Sequence, residues 1–156
     1  MKFFLDTSAM VKLFTDEPGS TEMIARVEKP GTEIWVLDLA GLEFSSMVWR
    51  RARENVLSVN EASALLHLQE QQFDMWEVLA ISPALLSTAK DLLREHAETE
   101  GLRTLDAIQL AGFSWLVEEE DCVFASADSR LCRVARGRGY SVFNPEESPS
   151  SDPSAS

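Results

Sequence analysis

The stretch that decides the fold is the opening of the chain, Lys2-Phe3-Phe4-Leu5-Asp6-Thr7-Ser8. Its first part, Lys2–Leu5, is a short and largely apolar run, which predicts a buried strand. The run breaks at Asp6, and apolar residues at helical spacing over Met10–Phe14 predict a helix that Ser8 could cap. The chain therefore opens with a strand that leads directly into a helix, with a carboxylate at the junction.

The same alternation of strands and helices continues along the chain. Further strands are predicted at Glu33–Leu37, Trp76–Ile81, Cys122–Ala125 and Tyr140–Phe143. Further helices are predicted at Thr21–Glu28, Asp38–Arg53, Asn60–Phe73 with Asn60 as its cap, from Ser82-Pro83 onward, from Thr104 to about Val117, and at Ser129–Arg136. Strands that alternate with helices predict an α/β fold, with a central parallel sheet covered by helices on both faces.

Length and composition place further limits on the molecule. A chain of 156 residues can bury a core as one domain, which we expect to span residues 1–144. Residues 145–156 are rich in Ser, Pro and acidic side chains, which predicts a disordered tail. The two cysteines, Cys122 and Cys132, fit no metal-ligand spacing, and no run approaches the ~18 apolar residues of a membrane span. A cytoplasmic protein with reduced cysteines is the expectation.

The charge balance is strongly acidic. Lys and Arg number 14 against 26 Asp and Glu, which gives a formal net charge of −12. Such a balance disfavours a large phosphate-binding surface and counts against a nucleic-acid substrate. The acidic tail and any carboxylates that bind metal would account for part of this charge, so its local distribution matters more than the sum.

Four carboxylates interrupt or directly follow apolar stretches, namely Asp6, Glu43, Asp106 and Asp128. Three of them have an ordinary explanation when taken singly. Asp6 and Asp128 follow predicted strands and could be turn or cap residues, and Asp106 lies in the first turn of its helix, where a negative charge suits the helix dipole. Single positions therefore do not decide between structure and function.

Glu43 fits an ordinary explanation less well. On the predicted helix it shares a face with Leu39, Ala40 and Met47. We expect a glutamate on that face to be buried, and buried glutamates are rare unless they are paired or bind metal.

The joint placement of the four acids points to a metal site. In open parallel sheets, ligands gather beyond the carboxyl ends of the strands, where Asp6 and Asp128 are predicted to lie. Glu43 and Asp106 could lean over the same crevice from their helices. Oxygen ligands without His or Cys suit Mg²⁺ or Mn²⁺ and argue against zinc. His67 and His96 lie on predicted helices outside these motifs and are not expected to be ligands.

In these motifs the chain resembles the PIN-domain ribonucleases, and within them the VapC-type toxins of toxin-antitoxin pairs. The matching segments, in order, are Phe3–Leu13 with Asp6-Thr7-Ser8, Glu43 followed by Arg50-Arg51, Asp106-Ala107-Ile108-Gln109-Leu110-Ala111, and Ser126-Ala127-Asp128 followed by Arg130. One such piece is weak evidence, but four in order over nearly the whole ordered chain are specific.

The resemblance implies a three-layer α/β/α nuclease domain and a metal-dependent endoribonuclease, with RNA as the substrate. It also implies that Asp6, Glu43, Asp106 and Asp128 hold Mg²⁺ or Mn²⁺, with Ser8 and Ser126 as supporting polar groups. A homodimer and inhibition by a small VapB-like antitoxin are further implications. With no His near the acids, metal-bound water would carry the proton transfers and the nucleophilic attack.

Several arginines are candidates for phosphate contacts. Arg103 precedes the Asp106 motif, and Arg130 and Arg133 follow Asp128, so these three are the candidate substrate-binding residues. A solvated helix face is the alternative for each. The same choice applies to the remaining candidates, which are Arg50, Arg51, Arg53, Arg136 and Arg138. The four tryptophans, Trp35, Trp49, Trp76 and Trp115, lie on apolar segments and are expected in the core or an interface.

Two other functional classes remain open from the sequence. An aspartate-based phosphatase or phosphoacceptor domain would also place Asp6 after the first strand. The phosphatase pattern, however, requires a second aspartate at the position of Ser8, and neither of these two classes explains Glu43. A non-catalytic PIN-like binding module would keep the acids without activity.

Overall fold

The computed structural model describes residues 1–119 and 121–147. Its elements, in chain order, are β1 (Lys2–Leu5), α1 (Thr7–Val11), α2 (Ser20–Val27), β2 (Glu33–Leu37), α3 (Asp38–Arg53), α4 (Val59–Phe73), β3 (Glu77–Leu79), α5 (Pro83–Glu100), α6 (Thr104–Glu119), β4 (Cys122–Ala125), α7 (Ser129–Gly137) and β5 (Val142–Phe143).

The strands form one parallel sheet with the order β3-β2-β1-β4-β5. The first strand lies in the middle and pairs with β2 on one side and β4 on the other. The strand order therefore reverses at β1, and the carboxyl ends of β1 and β4 lie side by side, with Leu5 opposite Ala125. This junction is the topological switch point at which α/β proteins commonly bind ligands.

Each face of the sheet carries its own core. Side chains alternate across a strand, so Phe4 points to one face of β1 while Phe3 and Leu5 point to the other. Phe4 packs with residues of α5, α6 and α7, including Phe113 at a ring-centroid distance of 5.9 Å. Phe3 and Leu5 pack with residues of α1 to α4, including Phe44. This is the predicted three-layer α/β/α arrangement.

A close approach of helix and sheet fixes the position of α6. A Cβ added to Gly112 would lie 2.9 Å from a methyl carbon of Leu37, a distance that carbon atoms do not tolerate. Glycine at this position thus lets α6 pack directly against the end of β2. The same helix carries Asp106 and Gln109, so this contact also sets where those side chains reach the edge of the sheet.

Two predicted helix caps are wrong. Ser8 does not cap α1, because Asp6 is the capping residue and accepts a hydrogen bond from the backbone N–H of Ala9 at 2.8 Å. Asn60 lies inside α4, which Ser58 caps together with Glu61 in a reciprocal capping box. In both helices a residue two positions nearer the N-terminus than the predicted cap accepts the hydrogen bond from the free backbone N–H group.

The outer strands are shorter than predicted. The segments predicted at Trp76–Ile81 and Tyr140–Phe143 contribute strands only over Glu77–Leu79 and Val142–Phe143. Both are edge strands. The first, β3, pairs only with β2 and the second, β5, pairs only with β4, so each strand extends only as far as its hydrogen bonds to that one neighbour.

The folded contacts continue past the predicted domain boundary at residue 144. Pro145 is buried, Glu146 forms an ion pair with Lys12 at 2.6 Å, and Glu147 forms one with Arg136 at 2.6 Å. The start of the predicted tail therefore packs on the domain. Residues 148–156 of that tail lie outside the described residues. Within the described part of the chain, no helix has the length and apolar character needed to span a membrane.

Candidate functional site

Asp6 lies directly beyond the carboxyl end of β1, where its backbone N–H donates to the carbonyl of Ala125 at 3.0 Å. Its side chain is only 4% exposed. Ser8 donates to Oδ1 at 2.7 Å and Ser126 donates to Oδ2 at 2.7 Å. Burial raises the pKa of Asp6 to about 6, and these hydrogen bonds only partly oppose the shift.

Asp128 follows β4 and caps α7. Its Oδ1 accepts from the backbone N–H groups of Arg130 at 2.8 Å and Leu131 at 2.9 Å. Ser126, which is fully buried, accepts from the backbone N–H of Asp128 at 3.1 Å while it donates to Asp6. One hydroxyl thus ties the two strand-end aspartates together, and both Ser8 and Ser126 hydrogen-bond to Asp6.

Glu43 reaches the same place from the second turn of α3. Glu43 is half-buried, so the expectation that it is buried is wrong. Its neighbours Leu39 and Ala40 pack into the cores, whereas its carboxylate extends beyond them towards the edge of the sheet. Oε2 accepts hydrogen bonds from the hydroxyl of Thr7 and from Nε2 of Gln109.

Asp106 completes the set from the first turn of α6. Burial raises the pKa of its carboxyl group above the usual value, and the nearby charges of Asp128 and Glu43 raise it further, while Arg103 works in the opposite direction. Asp106 likewise contributes to the raised pKa of Asp6. The charges of neighbouring acids therefore add to the effect of burial on the pKa of both Asp106 and Asp6.

All four acids line one open cavity of about 600 Å³. The remaining side chains around it are mostly polar or basic, and they include Thr7, Ser8, Ser46, Arg50, Arg103 and Gln109. The four acids come from four different segments of the chain, two at strand ends and two on helices. An anionic cavity of this kind attracts a cation or a basic group.

The donor set can be compared with the needs of a divalent metal ion. Carboxylate oxygens without a nitrogen or sulfur ligand fit a hard cation such as Mg²⁺ or Mn²⁺. Gln109 also lines the cavity, and its buried Oε1 has no hydrogen-bond partner. Among residues 1–119 and 121–147, however, no group of three or more His, Cys, Asp or Glu side chains is arranged to hold an ion as it stands. The residues fit a metal by their chemistry, and binding would require the carboxylates to draw together.

Comparison with known proteins identifies the family. The sequence profile of the PIN domain matches residues 3–137, which is most of the chain. The chain belongs to the PIN-domain family. This confirms the family resemblance drawn from the four acidic motifs.

A curated relative and solved structures agree with the PIN-domain assignment. The chain is 34% identical over 77 residues to Ribonuclease VapC3 from Pyrobaculum aerophilum, a match that covers 49% of this chain and 53% of the relative. The match thus spans about half the length of that curated relative.

Two solved structures illustrate the likeness of fold. FitAcB from Neisseria gonorrhoeae has a TM-score of 0.66 at 16% identity and covers 92% of this chain and 97% of its own. VapBC2 from Rickettsia felis, bound to a DNA fragment from their promoter, has a TM-score of 0.63 at 14% identity, with 92% and 98% covered. At such identities the similarity is one of fold, and it confirms the predicted PIN-like α/β/α architecture.

The candidate arginines divide between the PIN-domain cavity and structural contacts. Arg50 and Arg103 are exposed side chains that line the cavity. Arg130 instead donates to the carbonyl of Gly101 at 3.0 Å, so it fastens α7 to the loop before α6. Arg133 is exposed on α7 and is not among the cavity-lining residues. Three further candidates form ion pairs: Arg51 with Glu17, Arg136 with Glu147 and Arg138 with Glu95.

The histidines do not line the cavity, and three of the four tryptophans pack against the cores, as expected for tryptophan. His67 is exposed on α4, and His96 on α5 lies 2.7 Å from Glu100. The indole groups of Trp35, Trp76 and Trp115 are half-buried against the cores. Trp49, by contrast, is 46% exposed on α3.

Sequence reasoning missed Thr7 and Gln109, the two residues of the PIN-domain cavity that hydrogen-bond to Glu43. Thr7 is adjacent to Asp6 and looks like an ordinary helix-start residue. Gln109 lies three residues after Asp106 in a very apolar helix, and that position is the signal that could have revealed it, because i and i+3 share a helix face.

Proposed function

We propose that this protein is a metal-dependent endoribonuclease and the toxin of a toxin-antitoxin pair, acting on cytoplasmic RNA. The observation that carries the proposal is the single cavity lined by Asp6, Glu43, Asp106 and Asp128 at the switch point of a PIN-domain sheet. The partial match to Ribonuclease VapC3 supports the same activity.

In this proposal the four carboxylates hold one or two Mg²⁺ or Mn²⁺ ions. A bound divalent ion would polarise the scissile phosphate and lower the pKa of an attacking water. Ser8 and Ser126 keep the Asp6 carboxylate oriented towards the cavity through their hydrogen bonds. The chain thereby supplies anionic ligands around one cavity, and metal binding would draw them together.

Substrate binding falls to the basic side chains at the rim. Arg50 on α3 and Arg103 in the loop before α6 both line the cavity, and both are exposed. They can contact phosphates on either side of the scissile bond, which offsets the acidic net charge locally. Of the three arginines predicted from sequence, Arg103 is the one that the structure favours for this role.

The antitoxin and the dimer belong to the same proposal. Fold relatives include VapBC toxin-antitoxin complexes, and the acidic cavity suits a basic antitoxin segment. Leu42 and Trp49 lie seven residues apart on α3, so they form an exposed apolar pair on one helix face that suits a homodimer contact. A monomer in light scattering at working concentrations would count against the dimer.

The activity is tested with single-stranded and looped RNA in the presence of Mg²⁺ or Mn²⁺. We expect cleavage that is lost in excess EDTA and reduced at least ~100-fold in Asp6→Asn and in Asp106→Asn, because each variant removes a metal-binding carboxylate. Asp91→Asn is the control, since Asp91 is an exposed acid on α5 that pairs with Arg94.

Three results would count against the proposal. Full activity in excess EDTA would exclude the metal mechanism. Mn²⁺ binding without cleavage of any RNA tested, from a wild-type protein that is folded by circular dichroism, would favour the non-catalytic binding module. Release of phosphate from a phosphomonoester would instead favour the phosphatase alternative.

A further inference from the structure

We propose that Gln109 and Thr7 are positioning residues that aim Glu43 at the metal, and that Gln109 does so at the expense of the stability of the metal-free fold. The inference deepens the proposed function and rests on it, because it assigns Glu43 a ligand role. It concerns two residues that lie between the acidic motifs and that do not themselves carry charge.

The hydrogen bonds form a closed triangle. Gln109 Nε2 donates to Thr7 Oγ1 at 2.9 Å and to Glu43 Oε2 at 3.0 Å, and Thr7 Oγ1 donates to the same Glu43 oxygen. The three residues come from α6, α1 and α3, so the triangle joins the three helices around the cavity. Thr7 follows Asp6 directly, which links the orientation of Glu43 to the strand-end aspartate.

The orientation of the Gln109 amide is costly. The side chain is 3% exposed, and its Oε1 has no hydrogen-bond partner. A buried acceptor without a partner destabilises a fold. The opposite orientation would put Oε1 against the Glu43 carboxylate, where two acceptors repel. The Glu43 carboxylate therefore determines the orientation of the Gln109 amide group, and this orientation leaves Oε1 of Gln109 without a partner.

The triangle fixes Glu43 without neutralising it. Both donors bind Oε2, and within the described residues no donor binds Oε1. Neither donor is charged, unlike the lysine or arginine that commonly accompanies a partly buried glutamate. Glu43 thus has one oxygen held by the protein and one left for a cation, and its negative charge stays available to that cation.

Two substitutions test the triangle without adding charge. Gln109→Met keeps the length of the side chain and removes its polar atoms, and Thr7→Val keeps the shape and removes the hydroxyl. Mn²⁺ affinity is measured by calorimetry, and unfolding of the metal-free proteins is measured by urea titration in EDTA. We expect each substitution to weaken Mn²⁺ binding about 10-fold, the lower end of the effect of residues that orient metal ligands.

The sign of the change in unfolding free energy shows whether Gln109 positions Glu43 or only packs in the fold. We expect metal-free Gln109→Met to be at least as stable as wild type, because the unpartnered acceptor is gone. Thr7→Ser should restore most of the Mn²⁺ affinity that Thr7→Val loses. Gln69→Met is the control: Gln69 is a buried glutamine on α4 that does not line the cavity, and its replacement should leave Mn²⁺ affinity unchanged.

A background variant shows whether the effect passes through Glu43. In Glu43→Gln, adding Gln109→Met or Thr7→Val should weaken Mn²⁺ binding no further. An equal loss with and without Glu43 would overturn the proposal, as would unchanged Mn²⁺ affinity in Gln109→Met. RNA cleavage is not used in this test. A protein that shows the expected Mn²⁺ pattern but cleaves no RNA would refute the proposed activity and leave the positioning role intact, whereas a wild type that binds no divalent ion would refute both.

Discussion

Two buried charged residues cap the opposite ends of the short helix α1, and they differ in their partners. Asp6 is 4% exposed and Lys12 is 2% exposed. Lys12 Nζ contacts Glu17 at 3.3 Å, Glu146 at 2.6 Å and the carbonyl of Pro18 at 2.6 Å, so its charge has anionic partners. In the described part of the chain Asp6 is bonded only by hydroxyl and amide donors, and the charge of another acid, Asp106, raises its pKa further.

The difference separates a structural charge from a candidate functional one. A buried ion with its counter-charges in place contributes to the folded structure. A buried carboxylate whose pKa is raised, and which faces further carboxylates, destabilises the fold in its charged form until a cation arrives. The charge of Lys12 therefore has its counter-charges within this chain, whereas the proposed function assigns to a metal ion the role of counter-charge for Asp6.

The largest expected effect comes from removing the charge of Asp6. Its folded pKa of about 6 exceeds the ordinary value, so the folded state holds the proton more tightly and the charged form opposes folding. This opposition is absent below pH ~4, grows between ~4 and ~6, and is complete above that range. Asp6→Asn should therefore stabilise the metal-free protein by up to about 3 kcal/mol at pH 7.5 and have little effect at pH 4.

Urea unfolding of wild type and Asp6→Asn in EDTA at the two pH values measures this difference. The asparagine is tolerated because Ser126 can turn its hydroxyl to accept from the new amide. Saturating Mn²⁺ should stabilise wild type by ~2.7 kcal/mol at a hundred times the dissociation constant and stabilise the variant much less. A less stable Asp6→Asn at pH 7.5, with an unchanged response to Mn²⁺, would make Asp6 a structural cap only.

The opposite sign is expected at Lys12. Lys12→Met should destabilise the protein by about 2 kcal/mol, since it removes charged hydrogen bonds that join α1 to the C-terminal segment. Because Glu17 and Glu146 are both partly exposed, water can solvate them after the substitution, which keeps the loss below that of a fully buried pair. The free energy of unfolding is measured with and without Mn²⁺.

The metal response provides the control for Lys12. Lys12→Met should retain the stabilisation by Mn²⁺ seen in wild type, and Glu146→Gln should show a smaller loss of stability than Lys12→Met. A Lys12→Met protein with normal stability but altered Mn²⁺ affinity would mean that the cluster belongs to the acidic site after all.

The two regions also differ in how far the sequence could predict them. Carboxylates such as Asp6 and Asp106 are visible because a charge in an apolar segment is unusual, and parallel strands place their carboxyl ends together. The side chain of Gln109 is uncharged, so it does not stand out from its apolar neighbours as a carboxylate does. Its role depends on which helix faces it across the cavity, which is a tertiary property.

The Lys12 cluster was beyond sequence reasoning for a related reason. Its partner Glu146 is 134 residues away, in a segment whose composition predicts disorder. What holds that segment is a close contact, since a Cβ at Gly19 would lie 2.9 Å from the carbonyl oxygen of Pro145. Composition does not report shape complementarity of this kind. The cap of α4 is different, because the Ser58-x-x-Glu61 pattern was present in the sequence and outranks Asn60.

Asp128 combines a structural role with a candidate functional one, and two substitutions can separate these roles. It caps α7 through Oδ1, as a structural aspartate does, and it also lines the acidic cavity. Asp128→Ala and Asp128→Ser both remove the charge that helps to raise the pKa of Asp106, so they share any stabilisation from reduced repulsion. Serine retains a capping oxygen and alanine does not.

The smallest expected effect is therefore the difference between these two variants. Asp128→Ala should be less stable than Asp128→Ser by about 1 kcal/mol without metal, which is the usual contribution of a helix cap. Both should lose Mn²⁺ affinity to the same extent, because the serine hydroxyl supplies a cap but no carboxylate. Urea unfolding in EDTA measures the first quantity and calorimetry the second. Equal stabilities would show that the cap contributes nothing, and full Mn²⁺ affinity in Asp128→Ser would remove Asp128 from the ligand set and leave it a structural residue like Lys12.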